Sequence, residues 1–430
     1  MNPNAASSTD PLPHQAAAAH VDAPQLRVFV IALFFIFGGI TSLNDVIIPK
    51  LKGLFHLNFA EAMMVQSAFF AAYFLISIPG AWIVKRVGYM RGAVVGLLAM
   101  MAGCLLFIPA STSATFGVFL FALFVLASGV TVVQVVANPL ISLLGPPATA
   151  GSRLTFAQAF NSLGTTVFPY FGSIVILGTL AQVDSRRLTG AALDAFRVAE
   201  TNIVVHTYIG LAIALLVVAG VVWSQRNRLK GEHHEGGSAL AGFSLLARPR
   251  FALGTGSLFL YVGAEVAIGS LIVSYLEQPH VLGLTEQAAG KLIPLYWGGA
   301  LLGRFIGAAV LRTVSPGKVL ACNAAAAIAL LIMSSNGTGA VAAYSLLAVG
   351  LMNSIMFPTI FSLANEGLGD RSADGSGVIC MAIVGGAIIP PLTGHLADAS
   401  GSLSIALVLP MVCYALICGY GIYASRPLES

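Results

Sequence analysis

The stretch at 116–145, FGVFLFALFVLASGVTVVQVVANPLISLLG, contains no charged residue. It is much longer than a barrel strand of about 10 residues and exceeds the roughly 20 residues a helix needs to cross a bilayer. In hydrocarbon a helix satisfies its own backbone groups, so an uninterrupted apolar run of this length reads as a transmembrane helix. Eleven comparable runs surround it, near 27–49, 62–84, 91–110, 154–180, 202–223, 252–276, 289–311, 317–335, 339–364, 375–396 and 403–424, while this one spans 115–143. Of the 430 residues 57% are hydrophobic and 9% charged, at a mean hydropathy of +0.89. Soluble chains carry about 25% charged residues, so this chain cannot cover a water-facing surface of its size. The expected fold is an all-α membrane protein with twelve transmembrane helices.

Other classes are excluded by what these runs and their loops contain. The net charge of +4 sits in basic loops, with no basic patch interleaved with aromatics, so no nucleic-acid partner is expected. The five cysteines, Cys104, Cys322, Cys380, Cys413 and Cys418, lie in apolar runs without metal-ligand spacing. No Walker, Rossmann or triad motif falls on a plausible loop, which argues against an enzyme, against direct ATP use and against a cofactor.

The one strongly polar linker, 225–250, carries Arg226, Arg228, Lys230, Glu232, His233, His234, Arg248 and Arg250, and both histidines read as solvated. It separates a first six-helix bundle at 26–224 from a second at 251–424, with a disordered tail at 1–25 and a short tail at 425–430. The first 25 residues lack a basic n-region, so the first span is expected to stay uncleaved. With both termini cytoplasmic, most Lys and Arg residues fall inside, as the positive-inside rule demands. The external loop 184–200 then places Leu188, Ala192 and Phe196 at helical spacing, which predicts a short interfacial helix.

The halves echo one another. NPLISLLG at 138–145 matches FPTIFSLA at 357–364, and Pro169 and Pro390 each follow about 30 residues later. HLNFAEA at 56–62, leading into the second span, is matched by LGLTEQA at 282–288, leading into the eighth. Six plus six spans related by a parallel repeat place a substrate site at mid-membrane between pseudo-symmetric halves, the major facilitator arrangement. A transporter is therefore expected rather than a receptor or a membrane enzyme.

Charges buried in the spans mark function. Asp45 shares one helix face with Thr41 and Asn44, a set that either binds and releases a proton or ligates Na⁺ through oxygens. Glu265 lies near the middle of the seventh span, with Tyr261 and Gly269 one turn away on either side. Gln134 with Asn138 and Gln158 with Asn161 each share a face, and amides suit sugar hydroxyls because they both donate and accept. Tyr261, Tyr296, Trp297 and Phe357 are candidates for stacking on a sugar ring, although most of the 25 Phe residues must simply pack or face lipid. Arg304 reads as a structural anchor or a snorkelling side chain. Asn58 with Glu61, and Glu286, read as first-turn residues of the second and eighth spans.

At these residues the chain resembles the fucose:proton symporter family of the major facilitator superfamily, and more closely its glucose/galactose transporter branch. The matching strings are GITSLNDVIIPKLK, QSAFFAAYFLISIPGAWIVKRVGYMRG, VVQVVANPLISLLG, RLTFAQAFNSLGTT, YVGAEVAIGS, GRFIG and FPTIFSL, spread over about 25–425. The resemblance implies cation-coupled hexose uptake by alternating access. It gives Asp45 the role of the family's span-one carboxylate, puts Gln134 where fucose-type members have a second glutamate, and puts Glu265 where they have glutamine. Gln158 and Asn161 match amides expected to face the sugar. Lys85, in the loop with Arg86 and Arg91, stands where the superfamily's loop motif usually has aspartate.

The expected function is symport of a hexose with H⁺ or Na⁺ across a bacterial inner membrane by a monomer. Asp45, Asn44, Thr41 and Gln134 would couple the ion, with Na⁺ at Asp45 as one option. Gln134, Asn138, Gln158, Asn161, Tyr261, Glu265, Trp297 and Asn353 would line the sugar site. A proton-coupled exporter of amphipathic compounds and a transporter-like sugar sensor are the alternatives. The amide-rich spans argue against the first, and the small size of the tail and linker against the second.

Overall fold

The structure, a computed structural model, describes residues 24–55, 59–113, 115–172, 190–228 and 239–426; the side chains of Pro24, 44–66, 191–201, 203, 239, 286 and 287 lie outside that description. The helices are α1 Pro24–Phe55, α2 Phe59–Val87, α3 Tyr89–Ser113, α4 Phe116–Leu143, α5 Ala150–Gly172, α6 Ala191–Ser224, α7 Pro249–Leu276, α8 Ile293–Val310, α9 Pro316–Asn336, α10 Gly339–Ala364, α11 Gly369–Ser400 and α12 Leu403–Ala424. Eleven of the twelve contain a described window apolar enough to cross a membrane. α5 is the exception: its described residues carry Gln158, Asn161, Ser162, Thr165 and Thr166.

The fold is the expected twelve-helix bundle in two six-helix halves. In the first half α1 packs on α5, α2 on α4, and α3 on both α4 and α6. Adding six to each number gives the second half: α7 on α11, α8 on α10, and α9 on both α10 and α12. Small residues set the spacing. A Cβ at Gly38 would collide with Asn161 and one at Gly164 with the Phe35 carbonyl, so α1 and α5 approach backbone to backbone.

One expectation fails. The segment after residue 190 is not a separate interfacial helix, because Ala191–Ser224 runs without a break into the sixth span. No proline or glycine lies between Ala191 and Tyr208 to end it. Leu188, His233, His234 and Asn58 lie outside the described residues, as do the side chains of Glu61 and Glu286. At the start of the eighth span it is Thr285 that caps, accepting the Ala288 N–H at 3.4 Å.

The halves meet through α2 against α11 and α5 against α8. At the end where the linker leaves, Lys85 Nζ lies 3.0 Å from Asp374 Oδ2, and the Ser152 hydroxyl donates to the Ala308 carbonyl at 2.6 Å. Two arginines close the C-terminus of α4 at the same end. Arg27 Nε donates to the Leu144 carbonyl at 2.9 Å, and Arg153 donates to the carbonyls of Ile141, Ser142, Gly145 and Pro146. The carbonyls of Ile141, Ser142 and Leu144 have no partner within the helix and lie at the negative end of its dipole, which a guanidinium fork can satisfy.

Candidate functional site

The repeated strings each place a proline inside a helix, Pro139 in α4 and Pro358 in α10. Proline has no N–H, so each leaves the carbonyl four residues earlier without its helical donor. Those carbonyls belong to Val135 and Ser354. The Ser376 hydroxyl reaches Val135 O at 2.8 Å from the opposite half, and Arg304 Nε reaches Ser354 O at 3.2 Å. α10 is interrupted at Ser354–Ile355, just beyond Asn353, where the Met352 carbonyl accepts from Asn323 at 3.1 Å, the Ser354 carbonyl accepts from Arg304, and the Asn353 carbonyl lies 3.1 Å from the Tyr261 hydroxyl oxygen. α11 is likewise interrupted by a 3₁₀ turn at Ala382–Val384. Interrupted helices at membrane depth are tolerated where such partners replace the lost ladder bonds, and they mark the substrate region of transporters.

Around the break in α10 the second half assembles a hydroxyl and amide network. The Tyr261 hydroxyl donates to Glu265 Oε1 at 2.7 Å. Asn353 Nδ2 donates to the Tyr296 hydroxyl at 2.9 Å, and the Tyr414 hydroxyl donates to Asn353 Oδ1 at 2.7 Å. Asn353 and the three tyrosines are buried, whereas Glu265 is half-buried. Asn353 therefore supports the site from behind, and Glu265 is the group that presents surface. Trp297 is 46% exposed, stands perpendicular to Tyr296 at 5.1 Å between centroids, and packs over Gly269, one turn beyond Glu265.

On the first half, Gln134 accepts a hydrogen bond from the Tyr73 hydroxyl at 2.8 Å. Gln158 Nε2 donates to Asn138 Oδ1 at 3.4 Å, and Asn138 has no exposed surface. Asn161 Nδ2 donates to the Phe34 carbonyl at 3.3 Å, within the α1–α5 contact. Thr41 donates to the Phe37 carbonyl at 2.7 Å. Asp45 and Asn44 follow on α1, one turn further along, with side chains outside the described residues, so the expected oxygen set around Asp45 is not displayed.

Arg304 joins the two halves. Besides Ser354 O it donates through Nη1 to the Gln158 carbonyl at 3.0 Å and to the Ser162 hydroxyl, both on α5. It neither snorkels nor anchors its own half alone. Sequence reading did not find Tyr73, Tyr414 or Ser376; for Ser376 the available signal was the proline whose missing donor it replaces.

Twelve helices in paired halves, bridged by Arg304, with an amide, three tyrosines and a carboxylate networked around a break in one of them, define a secondary transporter. The Major Facilitator Superfamily model matches residues 29–391. The glucose/galactose transporter of Brucella abortus biovar 1 (strain 9-941) is 48% identical over 394 residues, 92% of each chain. The L-fucose-proton symporter of Escherichia coli (strain K12) is 33% identical over 414 residues, covering 93% of this chain and 94% of that one. A crystal structure of the transporter FucP in the outward conformation superposes with a TM-score of 0.85 at 31% identity, covering 94% of this chain and 99% of that one. The chain belongs to the major facilitator superfamily.

Proposed function

We propose that the protein imports a glucose- or galactose-like hexose across a bacterial inner membrane, as a monomer with both termini cytoplasmic, by symport with a proton. The observation that carries the reading is the half-buried Glu265, held by Tyr261 one turn from the residue over which Trp297 packs; in this reading Gln134, Gln158 and Asn161 of the first half complete the sugar site. A carboxylate and amides bind sugar hydroxyls in both directions, and an aromatic face covers the ring's apolar side. Relatives named for glucose/galactose transport match nearly the whole chain, and those named for fucose transport are called proton symporters, which favours H⁺ over Na⁺.

In this reading Asp45 couples the ion together with Thr41, Asn44 and Gln134, and Glu265 recognises sugar. With the linker on the cytoplasmic side, Lys85–Asp374 and Ser152–Ala308 hold the halves together there, which suits an outward-facing state. Protonation of Asp45 favours this state, so the proton enters before or with the sugar.

Uptake into proteoliposomes tests the reading. Glucose, galactose, fucose, mannose and N-acetylglucosamine are offered separately under a pH gradient and a Na⁺ gradient. Accumulation of glucose or galactose driven by the pH gradient is expected. Accumulation of none of the five, or drive by Na⁺ alone, would overturn it. Asp45→Asn should abolish gradient-driven accumulation and leave counterflow intact.

A further inference from the structure

The linker is described again from Ala239 and forms a nine-residue 3₁₀ helix, Ala239–Ala247, that ends one residue before α7. Runs of this length are uncommon for a 3₁₀ helix, in which residues three apart eclipse. ALAGFSLLA is therefore sorted into three stripes. One is buried: Leu245 has no exposed surface, and Gly242 lies so close to α11 that a Cβ would press on the Val378 side chain and the Asp374 carbonyl. A second is gripped by Arg371, which donates to the Ala241 carbonyl and the Ser244 hydroxyl, each at 2.8 Å. The third, Leu240, Phe243 and Leu246, is exposed by 64%, 37% and 40%.

This strap touches α2 of the first half and α7 and α11 of the second, so it lies across the seam. Arg371 also lies 3.8 Å from Asp374, the residue paired with Lys85. The strap is thus tied to the ion pair that closes this end.

We propose that the strap is a membrane-contact element whose Leu240–Phe243–Leu246 stripe lies in the bilayer leaflet on the Lys85 side. Continuity with the lipid-facing belt argues for lipid: α7 starts two residues after the strap and exposes Leu253 by 50% within its first turns. Charge points the same way. The nine residues carry none, while Arg248 flanks them and the exposed Arg86 stacks over Trp82 at 4.1 Å, with Arg371 nearby and its neighbour Asp370 exposed. An uncharged apolar stripe edged by arginine and tryptophan suits the boundary between acyl chains and phosphate headgroups.

Site-directed spin labelling tests this in the full-length chain reconstituted in liposomes, with Cys322 and Cys418, the cysteines not fully buried, replaced by alanine. Labels at 240, 243 and 246 are expected to collide with membrane-partitioned oxygen several-fold more than with a water-soluble nickel chelate, and a label at 247 to show the reverse preference. Three independent positions protect the test against one misfolded variant. A preference for nickel along the stripe would mean that it faces water, and shielding from both reagents would mean that protein covers it. Either result overturns the proposal.

Discussion

The Ser376 hydroxyl donates to the Val135 carbonyl across the two halves at 2.8 Å, and that carbonyl is open because Pro139 sits four residues further on. A ladder bond missing from one helix thereby becomes a contact with the other half. The bond is made only while α11 lies against α4, so it favours the conformation closed at the Lys85 end. Ser376→Ala leaves a buried carbonyl unpaired at about 1–3 kcal/mol, which is enough to shift the balance of the two states at least fivefold. Pro139→Ala restores the helical N–H and should remove most of that effect. Spin-pair distances across the Lys85 end of both single variants and the double variant read the cycle; strictly additive shifts would refute the link between proline and serine.

Lys85 and Asp374 make the other bond tied to this state. Their side chains are 10% and 4% exposed at a separation of 3.0 Å, unlike a surface pair worth a few tenths of a kcal/mol. Removing one partner of a buried pair costs about 3–5 kcal/mol because a charge is left behind. Lys85→Ala or Asp374→Asn should therefore open this end and slow uptake by at least tenfold. The exchange Lys85→Asp with Asp374→Lys should recover part of the rate, since it retains the pair but places a lysine next to Arg371.

Glu265 and Asp45 are expected to separate cleanly in transport assays. Glu265→Gln keeps an acceptor for the Tyr261 hydroxyl, so the site should hold its shape. Sugar affinity measured by counterflow should weaken up to about tenfold, roughly the 1.4 kcal/mol difference between a charged and a neutral hydrogen bond. The ratio of protons to sugar should not change. A Glu265→Gln protein that still binds sugar but no longer accumulates it would move the coupling role from Asp45 to Glu265.

The helices were legible because each crossing needs a long uncharged run, and the halves because the two proline strings recur. Glu265 was legible because a carboxylate at that depth is costly. The partners were not. Arg304 and Gln158 are 146 residues apart, and an arginine two turns from a helix end reads equally well as a snorkelling side chain. Asn353 looked like a lining residue, since depth is readable from sequence but the direction of a side chain is not; three tyrosines from three helices enclose it. The interfacial helix expected near 188–196 failed for a related reason: apolar spacing shows that a segment is helical, not whether it is joined to the span that follows.

Arg304 combines a carbonyl left open by a proline with a contact between halves, and its substitution should show both. Its Nε serves Ser354 O while Nη1 serves Gln158 O and Ser162, a division of labour that a planar fork permits. Lysine offers a point charge on a flexible stem and cannot hold targets on two helices at once. Arg304→Lys should therefore keep the charge near Glu265 yet lose most uptake, with a fall in melting temperature from the open Ser354 carbonyl. Adding Pro358→Ala returns an N–H to that carbonyl and should restore the melting temperature without restoring uptake, because the contact with α5 stays lost. If the added substitution rescued transport as well, Arg304 would be only a local patch on a broken helix. If Arg304→Lys transported normally, its contact between the halves would carry no part of the cycle.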